Sequence, residues 1–225
     1  MVESNDRARA RWAGIWYLVT FATSIPALAL EKPFLDGDPA ASVAAAQFGC
    51  VLEVILAVSC VGTAIALYPI IRRHSDARAR GFIASRTVEA TLVVMGVVAV
   101  LALVTVRDDP GTPSGVDAAL VALHDGAFLL GPGLLPAVNA LLLAPVLYAN
   151  RLVPRAIPAL GIIGAPLLLA SATATILGLV SQVSTIGALA AAPIALWELA
   201  LGIWLTARGV REHSEASAST PVAVS

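Results

Sequence analysis

Long apolar runs alternate with short polar segments along the whole chain. An α-helix rises 1.5 Å per residue, so about 20 apolar residues cross a hydrocarbon core of about 30 Å. Six runs are long enough to do so, and they predict helices near 12–31, 43–71, 83–106, 118–149, 156–181 and 186–207. The predicted fold is therefore an all-α, polytopic membrane bundle with six transmembrane spans.

The fourth run, 118–149, is longer than one straight crossing requires and carries helix breakers in its middle. Gly131, Pro132 and Gly133 follow one another there. Because proline removes a backbone donor and clashes with the preceding turn, we expect this span to be broken or kinked. Such a break is tolerated in a membrane where the freed backbone is buried or lines a cavity. A seven-span alternative, with a turn at the break, leaves segments too short to cross.

The composition supports a membrane protein and excludes several other classes. Hydrophobic residues make up 58% of the 225 residues and charged residues 13%. Soluble domains carry about 25% charged residues and could not hide this much apolar surface. A secreted or cytosolic enzyme, a disordered protein and a nucleic-acid-binding protein are thereby excluded. The net charge of −1 indicates no strongly acidic or basic partner.

The basic residues lie mostly on one side of the predicted bundle. Twelve of the 14 Lys and Arg residues fall in the N-terminal tail, the 72–86 and 150–155 connections and the C-terminal end. Lys32 and Arg107 lie on the other side. The positive-inside rule then predicts a multi-pass protein of the cell membrane with both termini in the cytoplasm. We expect cytoplasmic tails at 1–11 and 208–225, the second disordered, around a transmembrane domain at 12–207.

The first span has an alternative interpretation as a secretory signal. Its basic start, its apolar run and the small residues Ala27, Leu28 and Ala29 fit a cleavage site. The length of the run and the aromatic pair Trp16-Tyr17 favour a retained membrane span instead.

Ionisable side chains inside the predicted spans are the main candidates for function, because each costs about 3 kcal/mol or more to insert. Glu53 lies about 15 Å from the outer end of its span, Asp125 about 10–12 Å and Glu198 about 18 Å, at 1.5 Å per residue. These three carboxyl groups and His124 are therefore predicted to converge at similar depth. Each also has a structural interpretation as a protonated or hydrogen-bonded link between helices.

Other polar residues in the spans favour structural roles. Arg86 and Glu89 are spaced i,i+3 and predict an ion pair near the cytoplasmic face that anchors the preceding loop. Asn139 and Gln182 are typical interhelical hydrogen-bonding residues. The adjacent His124 and Asp125 point about 100° apart on a helix, so we expect them to face different neighbours.

Several spaced motifs occur together and resemble a family of six-helix bacterial membrane proteins without an assigned function. They are Leu67–Pro69, Arg86–Glu89, His124–Gly133 and Leu152–Gly161, with Arg11, Ala13, Gly14 and Tyr17 near the start. The resemblance covers most of residues 10–208 and implies the fold, but no activity. A weaker analogy of size, helix count and buried acids is to small membrane-embedded terpene cyclases.

The first functional hypothesis is an acid–base enzyme that acts on an apolar molecule within the membrane, most concretely a protonation-initiated terpene cyclase for a prenylated substrate. A carboxylic acid that stays protonated in a dry site could donate its proton to an alkene or epoxide. Asp125 assisted by His124 is the preferred acid, Glu53 or Glu198 the base, and Glu89 a further catalytic candidate. The candidate substrate-binding residues are Trp197, Phe128, Phe48, Tyr17 and Asn139, whose aromatic members could shield a carbocation.

Two alternatives use the same residues differently. Buried acids and a broken helix also mark proton-coupled small-molecule transporters. A non-catalytic accessory membrane protein could use the acids only to lock helices together, which the short loops favour.

Motifs for cofactors and metals are missing from the sequence. We find no phosphate-binding loop, dinucleotide fingerprint or zinc motif, and with only three histidines in the chain we expect no metal site and no cofactor. Cys50 and Cys60 lie ten residues apart in one predicted helix and cannot bridge each other. The expected partners are the lipid bilayer and an apolar small molecule, and the sequence favours no particular oligomeric state.

Overall fold

The computed structural model describes residues 2–109, 111–181 and 184–211. Within these ranges the secondary structure is entirely helical. The helices are α1 (Val2–Leu35), α2 (Val43–Ile71), α3 (Asp76–Asp108), α4 (Val116–Leu130), α5 (Leu135–Ala149), α6 (Ala156–Ile176) and α7 (Thr185–Arg208). Gln182 and residues 212–225 of the predicted tail lie outside the described residues.

The predicted all-α membrane bundle is confirmed. Across the described ranges, six helical segments are long and apolar enough to span a membrane, with α4 and α5 together forming the fourth. Many side chains exposed along these segments are large and apolar, as a hydrocarbon environment requires. Examples are Phe48, Val58, Ile65, Ile163, Ile186 and Leu189.

Serine side chains cap the starts of three helices. Ser42 accepts a hydrogen bond from the Ala45 backbone at 3.3 Å, and Ser184 accepts one from Gly187 at 3.1 Å. Ser75 caps α3 in the same way. Each serine satisfies one backbone N–H that the first helical turn leaves without a partner. These local interactions fix where α2, α3 and α7 begin.

The fourth span is interrupted at 131–134, as its glycines and proline predict. The structure has a series of turns there between α4 and α5, yet the span bends by only 14°. Gly131 lies against α3, where an added Cβ would be 2.9 Å from Leu92 Cβ. The break therefore divides the span into two shorter helices that continue in nearly the same direction.

Helix α6 ends earlier than the predicted boundary at residue 181. Gly178 has a φ of +71°, and its N–H donates to the Thr175 carbonyl. The Leu179 N–H donates to the Ala174 carbonyl at 2.9 Å. This pattern is a Schellman motif, in which a glycine in the left-handed region closes the helix. The apolar run continues beyond it, so hydropathy alone placed the boundary too late.

The spans form a closed ring around the bundle axis. Each span packs on the next along the chain, α3 contacts both halves of the fourth span, and α7 returns to pack on α1. The α1–α7 contact is very close, since a Cβ added at Gly14 would lie 2.5 Å from the Thr206 backbone nitrogen. This ring leaves an interior in which residues from distant parts of the sequence meet.

Candidate functional site

A cavity of about 180 Å³ lies inside the ring, and every span contributes to its wall. Most of the lining is apolar, but one side carries charged groups. The lining residues are Thr20, Phe21, Ser24, Leu56, Cys60, Arg86, Glu89, Val93, Pro132, Pro136, Leu168, Ala191, Ile194, Ala195 and Glu198. We call this space the central cavity.

Arg86 holds two carboxyl groups at the wall of the central cavity. Its Nη1 donates to Glu89 Oε2 at 3.1 Å, one turn along α3, and its Nη2 donates to Glu198 Oε1 of α7 at 2.9 Å. The Arg86 side chain is only 2% exposed. A buried guanidinium requires such partners, because an unpaired charge in an apolar interior is very costly. We call Arg86, Glu89 and Glu198 the arginine cluster.

Neutral groups complete the surroundings of the arginine cluster. Asn139 of α5 donates to Glu89 Oε2 at 2.6 Å, so this oxygen accepts two hydrogen bonds. The Arg86 guanidinium carbon lies 5.1 Å from the ring centre of Tyr17 and 5.8 Å from that of Phe82. These aromatic rings favour the cation through their faces. The predicted Arg86–Glu89 pair is present, but it is linked to α5 and α7 as well as to its own helix.

A second group of ionisable side chains lies in another part of the interior. Glu31 of α1, Glu53 of α2 and His124 of α4 each offer a ligand atom, and these atoms lie within 4.8 Å of one another. All three residues are buried. His124 Nε2 and Glu31 Oε2 are 3.8 Å apart. We call these residues the histidine cluster.

Two carboxylate oxygens of the histidine cluster lack partners. Among the described residues, Glu31 Oε1 and Glu53 Oε2 are buried and make no hydrogen bond. Buried polar atoms in native proteins are almost always paired. A water molecule, a proton on the carboxyl group or a bound cation would supply the missing partner.

His124 is oriented by the residue that follows it. Its Nδ1 lies 3.3 Å from Asp125 Oδ1, and its ring stacks on Phe128 with 6.5 Å between ring centres. The expected divergence of His124 and Asp125 is thus wrong, because their side chains bend toward each other along the helix surface. The Asp125 side chain is 58% exposed, so it reaches His124 from outside the interior.

The two clusters lie at different levels of the bundle. Seven residues separate Glu53 from Cys60, whose sulfur lies 3.7 Å from Arg86 Nη1. At 1.5 Å per residue this spacing is about 10 Å along α2. A small cavity of about 10 Å³ beside Glu53 and His124 shares Val93 and Pro132 with the wall of the central cavity. The two cavities therefore share part of their walls.

The predicted site residues do not meet at one point. Glu53 and His124 lie near each other, whereas Glu198 belongs to the arginine cluster with Glu89, to which Asn139 donates a hydrogen bond. Depth estimates could not reveal this division, because depth says nothing about which way each helix is rotated. Asp125, the preferred acid, contacts His124 and does not line the central cavity.

The predicted aromatic lining is also dispersed. Trp197 is fully buried against α6, where a Cβ at Gly161 would lie 2.8 Å from its ring. Phe48 is exposed on the outer face of α2, and Phe128 borders the small cavity. Tyr17 lies under the Arg86 guanidinium. The aromatic side chain that does line the central cavity is Phe21, which sequence reasoning missed.

Glu31 is the main site residue that sequence reasoning missed. It stands at the end of the predicted first span beside Lys32 and Pro33, where a charged residue resembles part of a loop. The signal that could have found it is helical spacing, because Ala27, Glu31 and Phe34 follow at intervals of four and three residues and all are buried. Extending the helix through Phe34 places Glu31 on the inner face.

Residues 12–209 match a family described as a domain of unknown function (DUF4386). Because this match covers most of the chain, the protein belongs to that family. No curated protein and no solved structure matches the chain at a significant level.

Proposed function

We propose that this DUF4386 member is an integral membrane acid–base enzyme that acts on a small, largely apolar molecule in the central cavity. The observation that supports it most directly is the arginine cluster at the wall of a largely apolar space inside the bundle. An apolar substrate enters such a space from the lipid without a soluble binding domain. The protein supplies proton-transfer groups and excludes water, and the proposal requires no cofactor.

Glu198 is the preferred proton-transfer group in this proposal. Glu89 Oε2 accepts hydrogen bonds from both Arg86 and Asn139, whereas Glu198 accepts one from Arg86. Glu89 is therefore the more firmly held as a carboxylate. Glu198 is the more available to exchange a proton with a bound molecule, and Arg86 stabilises the negative charge that remains when the proton leaves.

The most concrete form of this activity is protonation-initiated cyclisation of a prenyl chain. The Glu198 proton adds to a terminal alkene, and a second double bond of the substrate supplies the electron pair that closes the ring. The Glu198 carboxylate then takes a proton from the carbon next to the remaining cation, which forms a new double bond. The product is an isomer of the substrate, so no co-reactant is consumed.

The site residues predicted from the sequence take different places in this scheme. The arginine cluster contains Glu198 and Glu89, with Asn139 bonded to Glu89. The Tyr17 ring packs against the Arg86 guanidinium. Phe21 provides an aromatic face at the cavity wall in place of Phe48. Glu53 and His124 belong to the histidine cluster, and Asp125 contacts His124 from outside it. None of these three residues takes part in the proposed proton transfer.

The test is a membrane-fraction assay with prenylated aromatic and diketopiperazine substrates, followed by mass spectrometry. The wild type is expected to form a product of unchanged mass in H2O and one mass unit heavier in D2O, because the first step adds a solvent-derived proton. Glu198→Gln removes the transferable proton at nearly constant shape, and we expect at least a 100-fold loss of product.

The matched control is Glu53→Gln, which makes the same chemical change in the histidine cluster. It is expected to keep most of the product-forming activity. Absence of an isomeric product from wild-type membranes with normal protein levels would contradict the enzyme proposal. Equal product from Glu198→Gln and the wild type would contradict the role of Glu198.

A second candidate, proton-coupled transport of a small molecule, is favoured by the stacking of the two clusters. Ionisable groups about 10 Å apart along the helices, beside two cavities that share Val93 and Pro132, offer successive positions for a proton. In proteoliposomes with a pH-sensitive dye inside, a carrier would change the luminal pH faster than it changes in protein-free liposomes when an apolar amine or acid is added. The protein-free liposomes are needed because the neutral forms of such molecules also cross lipid unaided. Glu198→Gln and Glu53→Gln should then both abolish the signal, which differs from the enzyme prediction.

The proposed setting is the cell membrane, with the arginine cluster nearer the cytoplasmic side and the histidine cluster nearer the outer side. This orientation follows from the charge bias of the loops. In this orientation the bilayer is both the solvent of the protein and the route by which an apolar substrate arrives.

A further inference from the structure

We propose that the histidine cluster binds one divalent transition-metal ion of the zinc or iron type. Glu31, Glu53 and His124 come from three different helices, and their ligand atoms lie within 4.8 Å of one another. The proposal is independent of the chemistry proposed for the arginine cluster. It departs from the expectation of no metal site, which rested on motif spacing along the chain.

The donor set matches the chemistry of such ions. Imidazole nitrogen suits zinc and iron, and carboxylate oxygens complete many of their sites. Two ionised carboxylates and a divalent ion sum to zero charge, which is the state that an apolar interior tolerates best. Ligand atoms around a tetrahedral ion stand about 3.4 Å apart. The 3.8 Å between His124 Nε2 and Glu31 Oε2 is close to that value.

Two buried oxygens without a hydrogen-bond partner indicate a ligand, and this observation is separate from the grouping of acidic residues. Within the described part of the chain, Glu31 Oε1 and Glu53 Oε2 have no hydrogen-bond partner, and these residues are 1% and 7% exposed. A cation bound between the helices would satisfy both oxygens. It would also remove the repulsion between two carboxylates held in one buried cluster.

Asp125 prepares His124 for metal binding. Its carboxylate lies 3.3 Å from Nδ1, so it accepts a hydrogen bond from Nδ1–H and leaves the Nε2 lone pair directed at the glutamates. Carboxylates commonly orient metal-binding histidines in this way. Asp125 is therefore a positioning residue in this proposal and not a ligand.

The backbone around the histidine cluster leaves room for these groups. A Cβ at Gly49 would lie 2.6 Å from Glu31 Cγ, and a Cβ at Gly96 would lie 3.9 Å from Glu53 Oε2 and 3.5 Å from His124 Cδ2. Beside Glu53 and His124 is a cavity of about 10 Å³, which is near the space that one water molecule occupies. Three protein ligands and this space describe a site with one open position.

The test is direct metal binding to the purified, full-length protein in detergent after chelator treatment. We use Co²⁺ as an optical probe and Zn²⁺ as its competitor. The wild type is expected to bind about one Co²⁺ per chain, to show the visible bands of low-symmetry cobalt, and to lose them when Zn²⁺ is added. Zn²⁺ should also raise the unfolding midpoint, because a ligand that binds only the folded state stabilises it.

Variants locate the site. Glu53→Gln and His124→Gln should abolish the cobalt bands, whereas Glu198→Gln, the same change in the arginine cluster, should retain them. Asp125→Asn changes an exposed side chain and should weaken metal binding about 10- to 100-fold while the protein stays folded.

Wild-type protein that shows neither cobalt bands nor a Zn²⁺-dependent midpoint shift would overturn the proposal, and the histidine cluster would then hold protons. Cobalt bands that persist unchanged in Asp125→Asn, which alters an exposed side chain, would overturn the assigned location, as would bands that persist in Glu53→Gln. The wild type decides whether the metal binds, and an exposed residue decides where it binds, so the test does not depend on the folding of a buried variant.

Discussion

Arg86 of α3 donates a buried hydrogen bond to Glu198 of α7, with 2.9 Å between Nη2 and Oε1, although the two residues are 112 positions apart in the chain. The pair joins two helices that lie apart in the ring. It also places a carboxyl group at the wall of the central cavity. One contact thus serves both the assembly of the bundle and the chemistry proposed for it.

Replacing Arg86 should destabilise the protein strongly. Arg86→Gln leaves Glu89 and Glu198 buried without their cation, and breaking a buried ion pair from one side costs about 3–5 kcal/mol. We expect a large drop in the thermal unfolding midpoint, measured in detergent by the loss of the monodisperse peak. Adding Glu198→Gln to the same chain should recover part of this drop, because a neutral amide replaces one of the two carboxyl groups that lost Arg86.

The control for this change is Arg80→Gln. Arg80 pairs with Asp76 at 2.6 Å, but both side chains are exposed on the surface. Exposed pairs of this kind contribute little to stability. Arg80→Gln should leave the thermal unfolding midpoint unchanged. Equal unfolding midpoints for Arg86→Gln and Arg80→Gln would contradict a large contribution of the arginine cluster to stability.

Gly14→Ala should weaken the contact between α1 and α7. The new Cβ would lie 2.5 Å from the Thr206 backbone nitrogen and 2.7 Å from the Gly202 carbonyl oxygen. Neither atom can move unless the helices separate, so we expect a loss of about 1–3 kcal/mol. The unfolding midpoint in detergent is the measurement. Gly126→Ala is the matched control, since nothing lies within 4 Å of its added Cβ, and a loss as large as that of Gly14→Ala would contradict the close approach.

Arg107 should not be replaceable by lysine without a cost. Its Nε and Nη2 donate to the two carboxylate oxygens of Asp117 at 2.8 and 3.0 Å, and its Nη1 donates to the Phe34 carbonyl. This one side chain therefore ties α1, α3 and α4 together at their shared end. Lysine cannot reproduce a planar, two-point contact, so Arg107→Lys should cost roughly 1 kcal/mol.

The measurement for Arg107→Lys is the unfolding midpoint at low and high salt. Because Arg107 and Asp117 are partly exposed, high salt should reduce the difference in unfolding midpoint between Arg107→Lys and the wild type. Lys32→Gln is the comparison, since Lys32 pairs with Asp36 on an exposed surface. An Arg107→Lys protein as stable as the wild type at low salt would show that the two-point contact is dispensable.

Fusion reporters should reveal the orientation of the bundle. Alkaline phosphatase inserted in the loop at residues 111–115 should be active, because the charge bias places this loop outside the cytoplasm. The same enzyme fused after Arg211 should be inactive, and green fluorescent protein fused there should fluoresce. The opposite pattern in both fusions would mean that the protein inserts against the charge bias.

The sequence alone determined the span architecture of this protein. Hydrophobic length is a local property, so the six apolar runs identified the spans, and α2 begins and ends at the predicted residues, Val43 and Ile71. Gly131 and Pro132 predicted the break in the fourth span, because the backbone constraints of these residues are also local. Where local backbone chemistry overrides hydropathy, as at Gly178, the predicted boundary was wrong.

Apart from the local pair of Arg86 and Glu89, only the tertiary structure decided which polar residues meet. Depth along a span follows from residue number, but helix rotation and lateral order follow from the packing of all spans together. Glu53 and Glu198 were therefore placed together from the sequence, whereas the structure pairs Glu53 with His124 and Glu31, and Glu198 with Arg86. The physical reason is that a buried charge is stabilised by whichever polar groups packing brings close to it, and the sequence of one helix does not specify its neighbours.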